Sequence, residues 1–178
     1  MRPWSLIAAT TLVVGVLSGV AAYESAAPRG DWKEIAWPFP RDGWPAGRAF
    51  RCNAPACGGD VEVYIRPKLG FCDCTTGVAD DDEVDRVADV DLIGERFVPI
   101  GAGEAVRVAD MPGRIRAYDL KLGDGMRGAV GIAVSHRCDL LVVAAQGRED
   151  AVRVRRAALE LLAKAEPARW MKSAMNAQ

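Results

Sequence analysis

The chain has 178 residues, half of them apolar, which is enough for one domain with a sizeable core. Its 23 basic and 24 acidic residues leave a formal charge of −1, so there is no electrostatic footprint for nucleic acid and no such partner is expected. Arg far outnumbers Lys, and Ala, Val and Gly are abundant, a composition that fits a GC-rich bacterial genome.

Arg2 is the only charge before Glu24, and residues 3–22 (PWSLIAATTLVVGVLSGVAA) carry none. At about 1.5 Å per helical residue this run spans roughly 30 Å of hydrocarbon. It reads equally as a membrane anchor and as a cleaved signal peptide, with Val20-Ala21-Ala22 as small residues ahead of a cleavage point before Tyr23. In either case Arg2 stays on the cytoplasmic side and the rest crosses. The expected location is the periplasm or the periplasmic face of the inner membrane, with membrane contact through residues 3–22 if they are retained. Gly15 and Gly19 form a GxxxG pair, here read as small residues of a signal helix rather than a helix–helix contact. The first cysteine is Cys52, so no cysteine is placed for lipidation beside the apolar run.

Residues 23–47 read as a linker and lead-in segment. Pro28, Pro38, Pro40 and Pro45 exclude a helix through most of it, and Trp32, Trp37, Phe39 and Trp44 are interleaved with them. Rings at this density are expected to pack on the domain rather than present a polyproline ligand. Residues 48–178 read as a single extracytoplasmic domain. Arg48 to Cys52 and Asp60 to Arg66 are strands joined by a turn-rich loop, and Val61, Val63 and Ile65 alternate with Glu62 and Tyr64.

Residues 80–91 hold seven acids in twelve positions. They lack the alternating Asp, mid-loop Gly and terminal Glu of a calcium loop. A helix capped by Asp80, with Val84, Val87 and Ala88 on its apolar face, is expected instead. A short strand at Ala105 to Ala109 precedes a three-stranded meander. Arg114 to Leu122 alternates, Gly123-Asp124-Gly125 is a hairpin turn, Arg127 to Ser135 returns, and Cys138 to Ala145 is apolar throughout and therefore central. A helix starting at Glu149 or Asp150 carries Ala151, Val154, Ala158, Leu161 and Leu162 on one stripe, and Pro167 is expected to close it. Ala168 to Met175 follows as a short amphipathic turn. The fold class is α+β: an antiparallel sheet, built from the meander and an N-terminal hairpin, flanked by helices and preceded by a hydrophobic helix.

Export makes disulfides the expected use of the five cysteines. Cys52, Cys57, Cys72 and Cys74 run as C-x4-C, a gap of fourteen residues, then C-x-C. A bridge within Cys72-Asp73-Cys74 would strain normal disulfide geometry. Cys72 and Cys74 are therefore expected to pair with Cys52 and Cys57 in some order, closing loops worth roughly 3 kcal/mol each and pinning one end of the sheet. Cys138 is left as a core thiol, or displaces one of the four. The alternative use of Cys52, Cys57, Cys72 and Cys74 is a metal or redox site, since four thiolates hold zinc or Cu(I), but the spacing lacks paired C-x2-C knuckles.

The one histidine, His136, is expected in an exposed turn with only Asp139 near it, which leaves little for Ser-His or Cys-His catalysis. There is no P-loop, GxSxG or HExxH, and no GxGxxG between a strand and a helix. No catalytic residue and no cofactor is expected. The order of elements runs from Ala36-Trp37-Pro38-Phe39-Pro40 into a hairpin and a mid-chain helix. It continues through the core strands GRIRAYDLKL and DLLVVAAQG to the closing helix VRVRRAALELL. In that order the chain resembles the PsbP-like α/β/α sandwich over residues 34–164, although the cysteine cluster is not part of that pattern. The resemblance implies a non-catalytic accessory or binding role, so the expectation is a non-enzymatic envelope protein that binds a protein partner.

Overall fold

The computed structural model describes residues 32–176 except 54–56, 58 and 72. Residues 3–22, with their Gly15/Gly19 pair, lie outside the described residues. Eight strands form one antiparallel sheet: β1 (Trp32–Ile35), β2 (Arg48–Cys52), β3 (Val61–Lys68), β4 (Phe97–Pro99), β5 (Glu104–Val108), β6 (Met111–Leu122), β7 (Gly125–His136) and β8 (Asp139–Gly147). Their order is β1-β2-β3-β8-β7-β6-β4, and β5 also pairs with β6. The meander β6-β7-β8 is the middle of this sheet, as its alternation and hairpin signals require. Every residue of β8 is buried, which is why its sequence shows no polar face.

Pairing at β6 explains a strand that the sequence hides. Phe97–Pro99 pairs with Tyr118 to Leu120, while β5 pairs with Met111 to Ile115, so two short strands share one long edge. Three residues ending in Pro99 carry no readable period. Ala109 and Asp110, at the β5–β6 turn, both take positive φ (49° and 69°), the backbone that a tight two-residue hairpin demands.

Helices cover both faces. The helices α1 (Asp81–Val87) and α2 (Val90–Ile93) lie between β3 and β4, and α3 (Ala151–Leu162) and α4 (Ala165–Met175) follow β8. Val61, Val63, Ile65, Ile132, Leu141 and Val143 face α3 and α4 through Val154, Ala158, Leu161, Met171 and Met175. The alternate residues Tyr118, Leu120, Ala129, Ala133, Leu140 and Val142 face Val84, Val87, Ala88 and Val90. The result is three layers, helix on sheet on helix. Asp150 caps α3 by accepting from the Arg153 N–H at 2.9 Å, and Asp80 caps α1 by accepting from Glu83 at the same distance.

Pro167 does not close α3. That helix ends at Leu162, and Pro167 lies in the first turn of α4, where a missing N–H breaks no intrahelical bond. The lead-in segment packs as its aromatic density requires. Trp37 and Phe39 meet Tyr64 edge to face, with ring centres 6.3 and 4.7 Å away, and Trp44 meets Phe71 at 5.3 Å.

Candidate functional site

The cysteines make the first correction. Cys52 bonds to Cys57, with Cα atoms 6.2 Å apart, and Cys74 bonds to Cys138, with Cα atoms 4.4 Å apart. Neither bridge joins the C-x4-C pair to the C-x-C pair. Strand register supplies the reason. Cys52 pairs with Val61, and Val61 with Gly147 at the end of β8. Cys138 precedes Asp139, at the start of β8. Nine strand residues at about 3.3 Å each separate these ends by over 25 Å. Proximity in sequence had suggested one cluster, but β3 carries the chain from one end of the sheet to the other between Cys57 and Cys74. The bridges pin both ends, and Cys138 is not a core thiol but takes the other expected course, displacing one of the four as the partner of Cys74. Cys52, Cys57 and Cys74 do not converge, so the four-sulfur metal or redox site does not assemble. Cys72 lies outside the described residues.

His136 is also placed differently. It ends β7 opposite Asp139, half-buried rather than exposed, and its Nε2 has no partner among the described residues. Asp139 is engaged elsewhere, accepting from the Gly70 N–H at 2.6 Å.

The acidic run has a use that its helical reading left open. Three of its carboxylates fall at intervals of four residues and each meets cations on the sheet. Asp81 accepts from Arg114 at 2.6 Å and from the Gly103 N–H at 2.8 Å. Asp85 accepts from Arg116 at 2.6 Å and Tyr118 at 2.7 Å. Asp89 accepts from Arg66 at 2.7 Å and Lys68 at 2.6 Å. Burial, then the bond to Asp85, raises the Tyr118 phenol well above its usual range. Arg66 and Lys68 are only 3% and 6% exposed, and backbone oxygens of Pro40, Arg41 and Val87 accept further hydrogen bonds from them. The run is therefore a clasp that holds α1, α2 and the lead-in segment to the sheet.

That cover stops short of the Cys52 end. There a concave cleft of about 200 Å³ opens on the α1–α2 face, lined by Arg51, Asn53, Asp60, Glu62, Arg127, Gln146 and Arg148. All of these come from β2, β3, β7, β8 and their connections. Arg51, Glu62 and Gln146 occupy neighbouring register positions on β2, β3 and β8, and Arg127 lies on the same face of β7, two residues before Ala129, which pairs with Gln146. Gln146 and Glu62 form the floor: Gln146 is 6% exposed, and the Glu62 side chain is 17% exposed. Glu62 accepts from Arg51 Nε at 2.7 Å, from Gln146 Nε2 at 2.9 Å and from the Tyr64 hydroxyl. Burial alone would raise its carboxyl. The bonds from Tyr64, Arg51 and Gln146 together outweigh burial and hold the carboxyl below its ordinary value. Burial, then the Glu62 bond, pushes the Tyr64 phenol far up. Arg127 spans Gln146 Oε1 at 3.4 Å and Asp124 at 2.5 Å. Among the described residues, Arg148, with a 70% exposed side chain, has a single ion pair, at 3.9 Å to Asp60.

None of these cleft residues stood out in the sequence as a site. The available signal was period: Glu62 and Gln146 are polar residues inside strands that are otherwise buried, and the alternation puts both on one face.

No protein-family model matches the chain, and no curated protein matches it. Among solved structures it is similar to cyanobacterial PsbP (CyanoP) from Synechocystis sp. PCC 6803, at 16% identity and a TM-score of 0.46. That match covers 74% of this chain and 78% of the other. It is also similar to PA94 from Pseudomonas aeruginosa, a protein of unknown function described as a putative regulator. There the identity is 12% and the TM-score 0.42, over 83% of this chain and 96% of the other. A PsbP is thus among the solved structures similar to this chain.

Proposed function

We propose that this chain is a disulfide-stabilised, non-enzymatic accessory protein of the bacterial envelope, exported by residues 3–22, which binds a partner or ligand on its extracytoplasmic domain. The observation that carries the reading is the pair of bridges, Cys52–Cys57 and Cys74–Cys138, since structural disulfides persist in oxidising compartments. The uncharged run of residues 3–22 supports the same location.

The cleft supports binding over proton transfer. A general acid or base works best with a pKa near the operating pH. Glu62 is held below the ordinary carboxylate range and Tyr64 far above neutrality, so neither is poised to exchange a proton. Both groups instead stiffen a polar floor.

Rapid alkylation of cells of the native host, followed by non-reducing peptide mapping, tests the export reading. The expected result is both bridges closed, with Cys72 the one cysteine alkylated. All five cysteines recovered as alkylated thiols would overturn it. Carbonate extraction of the same membranes decides between anchor and cleaved signal: retention in the pellet with residues 3–22 present means an anchor.

A further inference from the structure

We propose that the cleft at the Cys52 end of the sheet is a binding site for a small monocarboxylate, or for the carboxylate end of a longer ligand, a reading that rests on the binding role proposed above. The lining carries three guanidinium groups, on Arg51, Arg127 and Arg148, against two carboxylates, on Asp60 and Glu62. The balance of the lining itself is one positive charge, before Asp124, which pairs with Arg127 from outside it, is counted.

Donors and acceptors are unevenly spent. Both Glu62 oxygens already accept, one from Arg51 and the other from Tyr64 and Gln146. Each guanidinium has five N–H groups. Arg51 spends Nε and Nη2 on Glu62. Arg127 spends one N–H on Gln146 and one on Asp124. Arg148 makes no side-chain hydrogen bond among the described residues, and its ion pair with Asp60 is 3.9 Å long. What the cleft offers a visitor is therefore mainly guanidinium hydrogens, with Asp60 and Asn53 as its open acceptors, and this excess of charged donors favours an acceptor carrying negative charge.

Shape and charge narrow the class further. The planar guanidinium fork matches a carboxylate through two parallel hydrogen bonds. A phosphate dianion would face Glu62 and Asp60 with at most one net positive charge to balance it. The open cleft of about 200 Å³ admits a small acid, and a larger ligand enters it by one end. The floor is costly to build: a carboxylate and an amide are buried beside Ala129 and Ala144. A fully bonded polar floor holds the surrounding arginines in place, which is the pre-organisation a binding site needs.

The test is titration of the oxidised, full exported domain with N-acetylalanine, its neutral amide and inorganic phosphate, followed by NMR shifts of the arginine Nε–H and Gln146 side-chain resonances. The expected result is saturable shifts at Arg51, Arg127 and Gln146 with N-acetylalanine, none with the amide, and weaker binding of phosphate. Arg148→Gln, at an exposed rim position, should leave the thermal midpoint unchanged and weaken N-acetylalanine about tenfold, the loss of one charge-assisted contact. No saturable shift with the acid, equal binding of the amide, tighter binding of phosphate, or affinity indifferent to Arg148→Gln would each overturn the proposal. Export is read separately from the cysteine map, so the two readings fail on different measurements.

Discussion

Asp89 shows how much can depend on one side chain. It takes a left-handed backbone (φ 60°) between α1 and α2, and both Arg66 and Lys68 are paired to it. Asn tolerates that backbone, so Asp89→Asn removes the charge without disturbing the turn. Two buried cations would then lack a counter-charge, and the variant is expected to lose about 3 kcal/mol or more in urea unfolding. Glu62 should report acid sensitivity. Its folded pKa is depressed, so its stabilisation is fully present above the unfolded value near 4.3 and is lost as pH falls through the lower folded value. Unfolding midpoints measured between about pH 5 and pH 3 should fall less steeply for Glu62→Gln than for the parent chain. Neither role was legible in advance. An Asp in an acidic run and a Glu in a strand look like solvated surface until register shows which face they share.

Elements with a strong period were legible. The β6-β7-β8 meander and α3 each repeat their apolar positions over enough residues to override local ambiguity. Short elements were not, because β4 and α2 hold too few residues to show a period. Pro167 misled for a different reason: proline disfavours a helix interior but suits its first turn, and the sequence around it serves both positions. The junction of β7 with α3 yields a sharp expectation. A Cβ at Gly128 would lie 2.4 Å from the Ala151 nitrogen and 2.5 Å from the Glu149 oxygen. Both are backbone atoms at the capped start of α3, so neither can swing aside. Gly128→Ala is expected to cost about 2 kcal/mol or more, read as a drop in thermal midpoint, with the loss concentrated in amide protection of α3.

Across the whole molecule the two bridges should differ in value. Cys74–Cys138 joins residues 64 apart, whereas Cys52–Cys57 joins residues 5 apart. In the chain-entropy model these close loops worth about 4 and about 2 kcal/mol, respectively. Replacing both cysteines of the long bridge by alanine should therefore cost about twice as much in denaturant unfolding as the same change at the short one. Equal losses would mean that native packing, not loop closure, sets their value. The layered architecture could be read from the order of elements. The connectivity could not, because it depends on which end of the sheet each loop reaches.

The position of β1 has a mechanical consequence. Trp32 pairs with Cys52, so the chain joins the sheet at the end that bears the cleft, while Cys74–Cys138 ties the far end. Residues 23–31 form the leash between that point and the apolar run, and nine residues reach at most about 30 Å when fully drawn out. With residues 3–22 retained in a bilayer, the arginine-lined mouth patrols a shell no deeper than this leash above the lipid headgroups. With those residues removed, the same mouth is free to search the whole compartment.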